Sequence, residues 1–196
     1  MIFLVGTGTW ILIGVLAVVV LLIIFVIAAY NKLVQMRNKV RNSWSQIDVQ
    51  LKRRFDLIPN LVETTKGYAD MEKGIFEEFA RARGLYAQAA KTGNIEQMAQ
   101  ANESLGGTLS RLLMVQERYP DLKANANFQD LMKQLGNTED KISFSRQFYN
   151  DTVLAYNNKI EVFPNVIIAG IFNFKAAQFF EVHDEEQRDA PKVSFK

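Results

Sequence analysis

Residues 11–29 read ILIGVLAVVVLLIIFVIAA, nineteen apolar residues in succession with one glycine, Gly14, among them. Trp10 stands before this run and Tyr30 after it. At the 1.5 Å rise of a helix the two aromatics lie about 30 Å apart, the thickness of a hydrocarbon core with an aromatic belt at each face. A soluble helix is apolar along one stripe, whereas a helix apolar on every face over this length asks for lipid. A cleaved signal peptide would want a basic start, a shorter apolar core and a small-x-small cleavage site. Met1 to Thr9 carry no Lys or Arg, and Ala28-Ala29-Tyr30 is a poor site. The run therefore reads as a retained anchor over residues 10–30, behind a short extracytoplasmic segment 1–9.

Charge is segregated just as sharply. The first charged residue is Lys32, so all 44 charged residues fall after the anchor, and the mean hydropathy of −0.05 averages two different kinds of chain. Between residues 32 and 54 stand seven cations (Lys32, Arg37, Lys39, Arg41, Lys52, Arg53 and Arg54) against one anion, Asp48. Beyond Arg54 anions outnumber cations, 20 to 16. Trp10, Tyr30, Lys32, Arg37, Lys39 and Arg41 are thus the membrane-flanking residues, and the positive-inside rule puts the N-terminus outside and the long domain in the cytoplasm. The basic run faces anionic lipid, and a net charge of +2 argues against a chain built to coat nucleic acid.

After Tyr30 the apolar residues take helical spacing. Val40, Trp44, Ile47, Leu51, Phe55, Ile58, Val62 and Thr65 advance by threes and fours along one face. No breaker separates them from the anchor, so one helix is expected to run from Ile11 past Ile58, with a kink at Pro59. Gly67 is expected to end it, and Asp70, with Glu72 in the first turn, to open the next. Ile75, Phe79, Ala82, Tyr86 and Ala89 form a second stripe. Thr92-Gly93-Asn94 is a turn, and Asn94 a cap for a third helix carrying Met98, Leu105, Leu109, Leu112 and Tyr119, with an interruption at Gly106-Gly107. A connection over Pro120–Asn125 leads to the longest soluble stripe: Phe128, Leu131, Leu135, Thr138, Ile142, Ser145, Tyr149, Thr152, Tyr156, Ile160 and Phe163, a coiled-coil-like repeat of about five heptads. Tyr-Asn recurs within it at 149–150 and 156–157. The expected fold is all-α: one transmembrane helix continuing into an antiparallel up-and-down bundle of about four long helices over residues 31–180, then a polar tail 181–196.

Several blocks closely resemble the LemA family. They are Asn31-Lys32-Leu33-Val34, Arg37-Asn38, the run from Trp44 to Arg54, and Asp56-Leu57-Ile58-Pro59-Asn60-Leu61-Val62-Glu63. Further on, Lys66-Gly67-Tyr68, Tyr119-Pro120-Asp121-Leu122-Lys123-Ala124, Thr138-Glu139, Tyr149-Asn150, Tyr156-Asn157 and Phe163-Pro164 belong to the same pattern. Ser43 and Lys141 depart from it, where alanine and asparagine are common. The resemblance covers about residues 30 to 181 and implies a single-pass protein of the bacterial inner membrane with a helical cytoplasmic bundle. It brings no catalytic residues and no cofactor. Genes of that family often lie near those of membrane metalloproteases, which makes a membrane protease the alternative partner.

The sequence carries few residues suited to chemistry. Zero cysteines remove thiolate metal sites, disulfides and Cys nucleophiles, and one histidine, His183, removes any site needing two imidazoles. No phosphate loop or nucleophile elbow occurs, and Glu-x-x-His pairs for a di-iron bundle are missing. Asp56 and Glu63 stand seven apart beside Arg53 and Arg54, which favours an ion-pair network over an acid/base pair. Glu181, His183, Asp184, Glu185 and Glu186 read as a solvated charge run. The chain is therefore expected to be no enzyme, with no metal. Arg53, Arg54, Asp56, Pro59, Asn60 and Glu63 form an expected interaction cluster, in which Asp56 pairs with a buried arginine. From Phe163 to Phe180 five phenylalanines and four branched aliphatics accompany one charge, Lys175. Phe172, Phe174, Phe179 and Phe180 are its candidate oligomer contacts, a bundle lid and a lipid contact being the other readings of so apolar a surface. The expected function is a scaffold acting as a homo-oligomer on the lipid bilayer, with an adaptor for a membrane protease as the alternative.

Overall fold

The computed structural model describes residues 7–66 and 73–181. Its helices are α1 (Thr7–Thr65), α2 (Lys73–Thr92), α3 (Ile95–Gln116), α4 (Pro120–Ala124), α5 (Ala126–Glu161) and α6 (Asn165–Ile171), and no strand occurs among the described residues. The protein is all-α.

α1 runs unbroken for 59 residues and passes through Pro59 without ending. Its exposure changes along its length. Residues 8–28 are exposed throughout, whereas Leu33, Val40, Ile47, Leu51, Phe55, Ile58 and Leu61 are buried at the helical spacing of the stripe. Gly67, Asp70 and Glu72 lie outside the described residues.

The described residues sort into two compact units. One is drawn from Met1–Asn42 and Asp151–Ala177, the other from Ser43–Asn150 and Gln178–Lys196. In the second unit α1 to α5 share a core built from Phe55, Ile58, Leu61, Ile75, Phe79, Leu105, Leu109, Leu112, Leu122, Phe128 and Leu135. Each such side chain contributes about 1.5–3 kcal/mol through burial. The Tyr86 ring stacks on Phe55, centroids 4.2 Å apart and planes 8° off parallel. Asn94 caps α3 by accepting from the Gln97 N–H at 3.0 Å, and Gly93, at φ +68°, makes the left-handed turn before it. Asn125 does the same for α5, accepting from the Phe128 N–H at 3.1 Å.

Two expectations change here. α3 is not interrupted at Gly106-Gly107; it continues to Gln116, and Gly106 leaves room beside the Arg54 guanidinium, 3.9 Å from where a Cβ would stand. The Pro120–Asn125 connection is itself a helical turn, α4, started by proline at its first position, where the lost N–H costs nothing.

In the first unit the buried apolar set comprises Leu33 and Val40 of α1, Val153, Tyr156 and Ile160 of α5, and Ile168, Ala169 and Phe174. Phe163, placed by periodicity at the end of the α5 stripe, is instead 80% exposed, because α5 stops at Glu161 and the chain turns through Pro164 into α6.

Candidate functional site

The first unit presents an apolar shaft. None of the most apolar stretch of α1 is buried, and that helix is long and apolar enough to cross a membrane. Trp10 is 66% exposed at one end. Tyr30, at the other, is half-buried against two aromatic rings that follow α6: Phe172 at 4.7 Å and Phe174 at 5.7 Å between centroids. Two turns further on, the Arg37 guanidinium lies over the Phe174 ring, 5.1 Å from its centroid, a cation–π contact. Lys32, Lys39 and Arg41 are exposed.

The signature cluster lies in the second unit, and the structure divides it. Arg54 is 3% exposed, and its Nη1 donates to Asn102 Oδ1 on α3 and pairs with Glu139 on α5. Burial pulls the Arg54 pKa down while Glu139 opposes the shift; a guanidinium keeps its proton regardless. Arg53, Asp56, Pro59, Asn60 and Glu63 are exposed, and Glu63 pairs with Lys66 one turn on. The expected pairing of Asp56 with a buried arginine is therefore corrected. Residues two apart on a helix point to different faces, so Asp56 turns to solvent while Arg54 turns to α3 and α5. Asn102 gave no signal in the sequence, and Glu139 stood out only within the family pattern.

The candidate oligomer contacts divide as well. Phe174 and Phe180 are buried within the chain, at 9% and 2% exposure, so neither ring is offered to another molecule. Phe179 is half-buried and Phe172 exposed. What holds this stretch down is the repeated Tyr-Asn pair of α5. In the second unit the Tyr149 hydroxyl donates to the Gln178 carbonyl at 2.7 Å. Asn150 Oδ1 accepts from the Phe180 N–H at 2.9 Å, and its Nδ2 donates to the Phe180 carbonyl at 3.4 Å. Trp44 packs on both Tyr149 and Phe180, at 5.5 and 5.8 Å. In the first unit Tyr156 donates to the Lys175 carbonyl at 3.0 Å, and Asn157 accepts from the Ala177 N–H at 2.8 Å and donates to its carbonyl at 3.0 Å. Each asparagine thus offers the extended chain one donor and one acceptor, as a neighbouring strand would.

An open groove of about 550 Å³ in the second unit is lined by Ser45, Val49, Gln50, Asp140, Lys141 and Phe144, among others. Val49 and Phe144 are exposed, at 62% and 75%. Among the described residues no group of three or more His, Asp or Glu is placed to hold a metal. His183, Asp184, Glu185 and Glu186 lie outside those residues.

Residues 43–195, most of the chain, match the family described as the LemA family. The chain belongs to the LemA family. Among similar proteins are the magnetosome protein MamQ 2 of Paramagnetospirillum magneticum, 29% identical over 90% of this chain and 72% of that protein, and MamQ of Magnetospirillum gryphiswaldense, 27% identical over 84% and 68%. Protein LemA of Metamycoplasma hominis is 25% identical over 81% of this chain and 72% of its own length. Within this LemA-family chain the Arg54 network and both Tyr-Asn clamps join residues distant in sequence.

Proposed function

We propose that this LemA-family protein is a non-enzymatic, single-pass inner-membrane scaffold. Its N-terminus would lie outside, its helical domain in the cytoplasm, and it would work as a homo-oligomer. The observation that carries this reading is the change of exposure along α1: one continuous helix is bare over residues 8–28 and then buries a regular stripe from Leu33 onward. A bare apolar helix of that length is untenable in water and suits lipid. The seven cations that follow it support the cytoplasmic side for the domain. Two of the relatives bear the name magnetosome protein rather than the name of a reaction, which supports a structural role over a catalytic one.

Isolation in mild detergent, followed by mass measurement of the intact particle, tests the assembly. A mass that is a multiple of the protomer's is expected, and a monomer would contradict it. The alternative, an adaptor for a membrane protease, would offer its partner the exposed groove at Val49 and Phe144. A photo-crosslinker at Phe144 that captures a protease rather than a second copy would decide for it.

A further inference from the structure

α6 is apolar on both sides. Ile168 and Ala169 turn inward, while Val166, Ile167 and Ile171 are exposed at 44%, 54% and 71%. The corner before it adds Val162 at 49% and Phe163 at 80%. No charged residue occurs from Val162 to Phe174. A helix that is apolar all round belongs in a core or in lipid, and a patch of this extent is seldom left to water.

The patch also has a defined neighbour. Phe172, one residue beyond α6, rests on Tyr30, the aromatic that ends the apolar segment of α1, and all of these residues belong to the same compact unit. Further along the chain Phe174 meets both Tyr30 and Arg37, and Lys175 reaches Tyr156. The corner at 162–171 leads directly into Phe172, the residue that rests on Tyr30, within the same unit. Lys32, two residues after Tyr30, and Lys175, next after Phe174, are exposed in the same unit and supply the flanking cations that interfacial segments use.

We infer that the corner between α5 and α6, through Phe163, Ile167 and Ile171, is a second membrane contact, seated in the interface of the leaflet on the domain side, beside α1. The inference rests on the reading of α1 as membrane-spanning. Its consequence is mechanical. A single helix in lipid is free to swivel and tilt, whereas a helix with an apolar outrigger at the interface fixes how the chain meets the membrane.

The chain has no cysteine, so single-cysteine variants carry one label each. Phe163→Cys, Ile171→Cys, Val18→Cys and Lys133→Cys all change exposed side chains, which leaves the core intact. The full chain is labelled with a polarity-sensitive fluorophore and reconstituted into phosphatidylethanolamine/phosphatidylglycerol vesicles. Nitroxide lipids then quench from either high on the acyl chain or near the bilayer centre. The expected result is a blue-shifted label at 163 and 171 quenched most by the shallow nitroxide, a label at 18 quenched most by the deep one, and a label at 133 quenched by neither. Quenching at 18 with none at 163 and 171 would overturn the second contact and leave the spanning helix standing. No quenching at 18 would overturn the spanning reading first. Labels at 163 and 171 that are shielded from water, unquenched by lipid and cross-linkable between copies would overturn the inference in favour of self-association.

Discussion

Arg54 of α1, 3% exposed, forms an ion pair with Glu139 of α5, while Asp56, two residues along the same helix, faces solvent. This places the energetic weight of the signature cluster on one residue. Glu139→Gln keeps the shape but removes the charge that offsets a buried guanidinium. It is expected to destabilise the fold by about 1.5–3 kcal/mol, less than for a fully buried pair because Glu139 is itself 48% exposed. Asp56→Ala is expected to stay within about 0.5 kcal/mol of the parent. Thermal unfolding followed by circular dichroism checks both. Equal losses in the two variants would show that Arg54 depends on Asp56 after all.

The Asn150 and Asn157 clamps predict local loosening. Asn150→Ala removes both hydrogen bonds to Phe180, and Asn157→Ala both to Ala177. Each is expected to cost about 1–3 kcal/mol, the range for backbone groups left unpaired. Hydrogen exchange should quicken at the Phe180 amide in the first variant and at the Ala177 amide in the second. Unchanged protection would mean that aromatic packing alone holds the strap.

Alkaline stability reports on Tyr149. Burial raises its pKa to about 12, so the folded state favours the neutral phenol. A raised pKa contributes stability that is fully present below the ordinary tyrosine value of about 10 and is lost as pH climbs from there through about 12. Tyr149→Phe is expected to cost about 1 kcal/mol at neutral pH, through the lost bond to Gln178, and to flatten the decline above pH 10. Tyr86 is raised to about 12 as well, by burial and then by Asp48 and Asp56, so part of the decline should persist in the variant. Melting temperatures of both proteins across this range decide the matter; parallel curves would contradict the assignment to Tyr149.

Periodicity revealed what periodicity can reveal. The apolar run at 11–29 and the stripe from Val40 to Thr65 were legible because burial recurs every three or four residues and lipid exposure does not recur at all. Both appear in α1 at those positions. The Arg54 partners were not legible, since nothing local links residue 54 to residues 102 and 139; only the fold brings them together. The repeated Tyr-Asn pair was visible, but its purpose was not. Its partners are backbone atoms of an extended segment, and backbone atoms leave no mark on sequence patterning. For the same reason Phe172, Phe174, Phe179 and Phe180 looked alike in the sequence, although two of them are buried within the chain and Phe172 meets Tyr30.

A scaffold anchored as proposed requires that α1 cross the bilayer with the domain on the basic side. Thr9→Cys and Lys133→Cys, expressed as the full chain, provide one thiol on each side of the proposed span. A membrane-impermeant maleimide is applied to intact spheroplasts and, separately, after permeabilisation. The predicted result is labelling of position 9 in intact spheroplasts and of position 133 only after permeabilisation. Labelling of position 133 in intact spheroplasts, or silence of both positions until the membrane is opened, would contradict the account.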